Sequence, residues 1–276
     1  MLQPLKQMDA PIGIFDSGIG GLSVLRHVHQ QLPHENLLYF ADSGFAPYGD
    51  KPEQVIIERT LAIADYLLSV GCKALVVACN TATATAIHLL RELYPDTPIV
   101  GVEPGLKPAA TSTKSRTVGV LATDRTIASE KFHLLRNQLT ATTGVRFIAQ
   151  ACTGLASQVE NGEIDSPLTK TLVQQYVAPL IKENVDTIVL GCTHYPFVQS
   201  QIEAAAKNAG AQFICIIDTG EPVARQLARL LEKNRLARTR TDEGTLKALT
   251  TGDPLALSTA FGKLLRLHPP VEQIAV

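Results

Sequence analysis

The chain has 276 residues, 45% of them hydrophobic and 18% charged, enough apolar material for one large core or two small ones. That composition excludes a disordered chain, and a net charge of −1 removes any general electrostatic case for binding nucleic acid. With no signal-like apolar run at the N-terminus and no membrane-length apolar stretch, the expected location is the cytoplasm, where the five cysteines stay reduced.

Short apolar runs predict strands over 11–16, 36–42, 74–79, 98–102, 117–122, 145–149, 187–192 and 212–218. Amphipathic stretches between them predict helices over 52–70, 81–93, 124–139, 166–183, 197–209 and 221–233. Strand and helix in alternation imply an α/β fold of mainly parallel sheets with helices on both faces.

The first strand runs into "FDSGIGGLSV", which places Asp16 and Ser17 at a strand end before a glycine-rich turn. This is not the GxGxxG fingerprint with its following acid, so a dinucleotide site is disfavoured. The second leads to "ADSGFAPYG", which reads either as an ordinary β-turn or as a loop presenting Tyr48 and the Gly49 N–H to a ligand. The third delivers Cys79 into "CNTATA", where Asn80 and Thr81 can cap a helix or hold a carboxylate. The strand at 187–192 does the same at "GCTHYPF", with Cys192, Thr193 and His194. The basic run "KNRLARTR" (233–240) reads as a solvated helix end.

The two halves echo each other. "PIGIFDSGIGGLSVL" matches "TVGVLATDRTIAS", and "GCKALVVACNTATA" matches "NVDTIVLGCTHYPF", the two cysteines lying 113 positions apart. Duplicated α/β domains follow as the expectation: 1–105 with 218–276 as the first, 106–217 as the second, crossing near "GVEPGLKP". Two such domains facing each other would bring Cys79 and Cys192 to opposite walls of one cleft, since ligands of parallel sheets sit beyond the carboxyl ends of strands.

A thiol ahead of a helix N-terminus has its thiolate favoured. One thiol with His194 would suit acyl transfer, but a hydrolase leaves the symmetry unexplained. A thiol–disulfide couple or a zinc knuckle would need CxxC spacing, which is absent. Two proton-transfer bases on opposite faces of a planar carbanion explain the symmetry directly. No lysine suits a Schiff base, and no cluster suggests a metal or flavin. Cys72, Cys152 and Cys215 read as small hydrophobes. A two-lobed amino-acid binder without chemistry is the reading from a different class.

"GIFDSGIGGLSVL", "YFADSGFAPYG", "VVACNTATA", "GVEPGLKPA" and "VLGCTHYPF", in this order, resemble the bacterial glutamate racemases over residues 11–233. Aspartate and hydantoin racemases share the cysteine pair. The resemblance implies two α/β domains related by a pseudo-twofold axis, with the active site in the cleft. It implies a cofactor-independent interconversion of L- and D-glutamate that supplies D-glutamate for peptidoglycan, and a homodimer with no nucleic-acid or membrane partner. It puts the catalytic pair on Cys79, acting on the D-enantiomer, and Cys192, acting on the L-enantiomer. The assisting aspartate and histidine fall on Asp16 and His194. Substrate contacts fall on Asp16–Ser17, Tyr48–Gly49, Asn80–Thr81 and Thr193–His194. Glu160, in "ASQVENGEID", is the loosest match, an acid that either assists or sits exposed at a helix end.

Overall fold

Apolar runs too short to be helices become ten strands. They are β1 (Ile12–Asp16), β2 (Leu37–Ala41), β3 (Ala74–Val77), β4 (Ile99–Gly101), β5 (Thr117–Ala122), β6 (Arg146–Ala151), β7 (Thr187–Gly191), β8 (Cys215–Ile217), β9 (Leu246–Thr250) and β10 (Val271–Gln273). The helices are α1 (Leu22–Gln31), α2 (Glu53–Ser69), α3 (Asn80–Leu93), α4 (Leu106–Ser112), α5 (Asp124–Ala128), α6 (Glu130–Thr143), α7 (Leu155–Glu160), α8 (Pro167–Lys182), α9 (Gln199–Asn208), α10 (Gly220–Lys233) and α11 (Pro254–Leu265). This computed structural model describes residues 8–276; the expectation of no leader falls mostly on residues 1–7 and lies outside the described ones. Among the described residues no helix is long and apolar enough to cross a membrane.

The chain forms two compact units, one built from the described residues up to Val102 with Gly220–Val276, the other from Glu103–Thr219. The first holds a six-stranded sheet in the order β10-β9-β2-β1-β3-β4, the second a four-stranded sheet in the order β6-β5-β7-β8, and every pairing is parallel. In each unit the first strand sits between the second and the third, with the fourth outside the third. The sequence echo is therefore a topological duplication: β1 corresponds to β5, and β3 to β7.

Both faces of each sheet are apolar, which is why the strands read as continuous hydrophobic runs. In the second unit Val118, Val120, Ala122 and Val189 pack with Leu106, Ala109 and Phe132 on one face. Leu121, Ile188 and Leu190 pack on the other with Val173, Tyr176 and Ile202. The period of two along β5 and β7 sends alternate residues to the two layers. The echoed glycines share one reason for being glycine. A Cβ on Gly13 would lie 3.0 Å from Leu75 Cδ2, and one on Gly119 would lie 2.8 Å from Leu180 Cδ1.

Four differences from the sequence expectations have physical causes. The helix expected over 124–139 breaks at Ser129, whose Oγ accepts from the Phe132 N–H and caps a second helix. The "GVEPGLKP" segment does start a helix, because Pro108 falls in the first turn, where a missing N–H costs nothing. β9, α11 and β10 carry weak local signals. They form because β2 offers β9 an open edge from Leu37 to Ala41, and β9 then offers one to β10. The basic run is not a solvated helix end either. Arg238 pairs with Asp9 at 3.1 Å and Asp242 at 2.9 Å, and Arg240 reaches Asp9 at 3.2 Å.

The Arg238 N–H also donates to Glu35, whose other carboxylate oxygen lies 2.5 Å from the buried Lys73 ammonium, so this network ties the C-terminal segment under the first sheet. Gly244 closes the junction: its N–H donates to Pro33 O at 2.9 Å, and a Cβ there would lie 1.9 Å from Glu35 O. Gly244→Ala is expected to cost about 3 kcal/mol, the upper end of overpacking, and to lower Tm by roughly 6–12 °C. Thermal denaturation measures it; an unchanged Tm would mean that the junction slides freely.

Candidate active site

β1 and β3 are neighbours in register, Phe15 opposite Val77, so the residues that follow each strand emerge side by side. From β1 come Asp16 and Ser17. Asp16 Oδ2 accepts the Gly21 N–H at 2.7 Å, turning the carboxylate onto the N-terminus of α1, where a negative charge is favoured. The Tyr39 hydroxyl donates to Gly18 O at 2.7 Å and holds the glycine-rich turn from β2. Gly21 has no room for a side chain, since a Cβ would fall 2.6 Å from Asp16 Cβ.

From β3 comes Cys79, buried, with its Sγ 3.8 Å from Ser17 Oγ. Cys79 itself holds the N-cap position of α3, with extended backbone and no side-chain capping bond. Asn80 and Thr81 therefore lie inside the first turn and do not cap it, a correction to the capping expectation. Asn80 Nδ2 reaches Val102 O at 3.4 Å, while its Oδ1 is buried and without a hydrogen-bond partner. Such an orphaned acceptor is costly unless a ligand fills it.

The Tyr48 turn is close to this half-site: Tyr48, Cys79 and Ala82 belong to one buried cluster. Burial raises the Tyr48 pKa most, then Asp42, which accepts from the hydroxyl at 2.6 Å. The Tyr48 hydroxyl is spent on Asp42, so any contact from this turn to a ligand falls to its main chain.

In the second unit β7 delivers Cys192, Thr193 and His194, all buried. The expected helix N-terminus directly after the cysteine is absent. A 3₁₀ turn, Tyr195–Val198, intervenes before α9, closed by Tyr195 N–H to Cys192 O and Phe197 N–H to His194 O. Pro196 lacks an N–H, and the tight i→i+3 bonds fit that gap. Thr193 consequently caps no α-helix. The place of a helix dipole is taken by a side-chain relay. Cys192 Sγ lies 3.6 Å from His194 Nδ1, and His194 Nε2 lies 2.7 Å from Glu160 Oε2 at the end of α7. Burial disfavours the imidazolium, but the bonds to Cys192 and Glu160 outweigh it and hold the His194 pKa well above the ordinary value. Glu160 is mostly buried, not exposed.

The remaining cysteines differ. Burial pushes the Cys72 thiol up to about 12 and Cys152 upward as well, and Cys215 is half-buried in β8. None has a base beside it of the kind Cys192 has in His194.

Asp42 with its Arg59 partner was not among the candidates, although "ADSG" at the end of β2 repeats "FDSG" at the end of β1. That repeat was the available signal. Glu160 is offered by the motif resemblance alone, and its bond to His194 joins residues 34 positions apart that no local pattern relates.

Residues 12–227 match the family described as Asp/Glu/Hydantoin racemase. A glutamate racemase of Ectopseudomonas mendocina is 50% identical over 261 residues, covering 95% of this chain and 97% of the relative. Among solved structures, a glutamate racemase isoform of Bacillus anthracis superposes with a TM-score of 0.87 at 30% identity, covering 97% of this chain and 98% of that one. The glutamate racemase of Francisella tularensis in complex with D-glutamate gives 0.83 at 27% identity, again covering 97% and 98%.

Proposed function

We propose, for a chain that belongs to the Asp/Glu/hydantoin racemase family and is an isomerase, that it interconverts L- and D-glutamate by a cofactor-independent two-thiol proton transfer. One observation carries the mechanism: two thiols stand at matching strand ends of a duplicated topology, each beside a polar partner, Ser17 for Cys79 and His194 for Cys192.

In the D-to-L direction the Cys79 thiolate removes the α-proton and becomes a thiol. The electron pair stays on the α-carbon as a planar carbanion. The Cys192 thiol then delivers a proton to the opposite face and is left as a thiolate. The free enzyme therefore alternates between two forms, each with one thiolate, and the L-to-D direction runs the steps in reverse. The α-proton of an amino acid is a weak acid, so fixed donors must stabilise the developing charge. Thr81 and Thr193 with the neighbouring N–H groups serve there, while Asp16 and Ser17, at the end of β1, assist the Cys79 thiol. The vacant Asn80 Oδ1 supports a further assignment, acceptance of the substrate ammonium. The Tyr48–Gly49 main chain receives the side-chain carboxylate.

On the Cys192 side, an imidazolium held by Glu160 donates through Nδ1–H and favours the thiolate. On the Cys79 side, the positive N-terminal end of the α3 dipole, which Cys79 itself caps, does the corresponding work. The relatives and the motif resemblance support glutamate over aspartate or hydantoins. The resemblance alone supports cytoplasmic supply of D-glutamate to peptidoglycan synthesis and a homodimeric assembly.

The test is incubation of the purified chain with L-glutamate in D₂O, following optical rotation and loss of the α-proton by NMR. Inversion with deuterium incorporation is the expected result. No exchange with glutamate, but exchange with aspartate or a hydantoin, would move the substrate within the family. No exchange with any of the three would leave a binding protein.

A further inference from the structure

Asp42 follows β2 directly, its carboxylate is fully buried, and the mechanism above leaves it without a part. Four donors converge on it from three separate segments. Arg59 of α2 forks onto it, Nε to Oδ2 at 2.9 Å and Nη2 to Oδ1 at 2.8 Å. The Tyr48 hydroxyl adds a third bond at 2.6 Å, and Thr251 Oγ1, just past β9, a fourth at 2.8 Å. Arg59 is itself pinned. Its guanidinium lies 4.0 Å from the centre of the Phe45 ring, and Nη1 donates to Val276 O. Thr251 Oγ1 also accepts the Gly44 N–H at 3.0 Å. The loop from Asp42 to Tyr48 is thereby tied down by α2 and by the C-terminal segment together.

This geometry does two things at once. It fixes the Tyr48 turn, because the tyrosine is anchored through its hydroxyl. It also cancels a buried negative charge under a turn that has to accept an anion. A buried carboxylate stripped of its cation is heavily penalised and would repel an approaching carboxylate. The fork matters as well as the charge, since a lysine ammonium cannot satisfy both carboxylate oxygens in one plane.

We propose that Arg59 is a positioning residue for the substrate's side-chain carboxylate, acting through Asp42 on the Tyr48–Gly49 turn. This rests on the glutamate reading and on that turn as the carboxylate's receiver. It also gives the C-terminal segment a part in the site, through Thr251 and Val276.

Steady-state kinetics of wild type, Arg59→Met, Arg59→Lys and the double variant Arg59→Met/Asp42→Asn test it, with Tm recorded for each. Arg59→Met is expected to raise KM for glutamate about tenfold or more while kcat changes less than about threefold. Arg59→Lys should fall between Arg59→Met and wild type. The double variant should return KM to within about threefold of wild type, because both charges are gone and the amide oxygen still accepts from the Tyr48 hydroxyl. A merely structural Arg59 would show no such rescue, so an unrelieved KM in the double variant overturns the proposal. So does an unchanged KM in Arg59→Met. If Arg59→Met does not fold, the lysine and double variants decide between the same outcomes. Wild type inert toward glutamate overturns the function itself; wild type active with Arg59→Met indistinguishable from it overturns only the positioning role.

Discussion

Cys79→Ser and Cys192→Ser are each expected to abolish racemisation in both directions, a loss of at least about 10³-fold in kcat, with the fold intact. Inversion needs a base on one face of the α-carbon and an acid on the other, so either loss stops the whole reaction. Serine keeps the shape of the side chain but does not ionise near neutral pH, whereas a free thiol titrates near 8.5. A positioned acid or base contributes about 10²–10⁴-fold, and here the uncatalysed transfer from carbon is slow enough to place the loss toward the upper end. The variants differ in what they retain. Cys79→Ser keeps Cys192, so slow α-deuterium incorporation into L-glutamate without inversion is expected. Cys192→Ser should do the same with D-glutamate. Chiral analysis alongside NMR in D₂O reads both effects. Near-normal racemisation by either variant removes the two-base mechanism, and exchange with the wrong enantiomer reverses the assignment of faces.

Glu160→Gln is expected to lower kcat by about 10–100-fold near neutral pH with little change in KM, and to recover as the pH rises. The reason is the buried relay. Without the carboxylate, burial is opposed only by the bond to Cys192, so the His194 pKa falls and the imidazolium that favours the Cys192 thiolate is less populated. Above about pH 8.5 the thiol ionises unaided, and the deficit shrinks. The stability consequence has a fixed sign. The folded pKa of His194 lies above its unfolded value, so the stabilisation is complete below about pH 6.5 and is lost as pH climbs through the folded pKa. Tm of the wild type should therefore fall more between pH 6 and pH 9 than Tm of Glu160→Gln. A ratio of kcat values independent of pH would mean that Glu160 does not act through the imidazolium. A KM effect without a kcat effect would make it a substrate contact.

Much of this site was legible along the chain because its parts are local. A buried parallel strand has to be a continuous apolar run, and the first polar residues after it have to lie at the carboxyl edge, where ligands bind. Cys79 with Asn80 and Thr81, Cys192 with Thr193 and His194, and Asp16 with Ser17 are all read from that rule. The duplication was legible for a related reason: both units need the same strand–turn–helix pattern to build the same β2-β1-β3-β4 order. Where two local grammars compete, the reading slipped. A small polar turn after a strand suggests an α-helix N-terminus, yet Pro196 and two i→i+3 bonds make the turn after Cys192 a 3₁₀ turn.

Tertiary structure alone decided the rest, because the interactions concerned join residues that no local period relates. β9 is a strand by virtue of the open edge of β2, some 209 residues earlier, where Leu37 pairs with Leu246. Tyr48 points its hydroxyl inward because a buried Asp42 has to have donors, and those come from α2 and from beyond β9. Glu160 reaches His194 only where the end of α7 packs beside the turn after β7. Hydrophobic period and turn chemistry act over a few residues and are written in order along the chain. The pairing of buried charges acts across space, and only the folded chain says which acid finds which base.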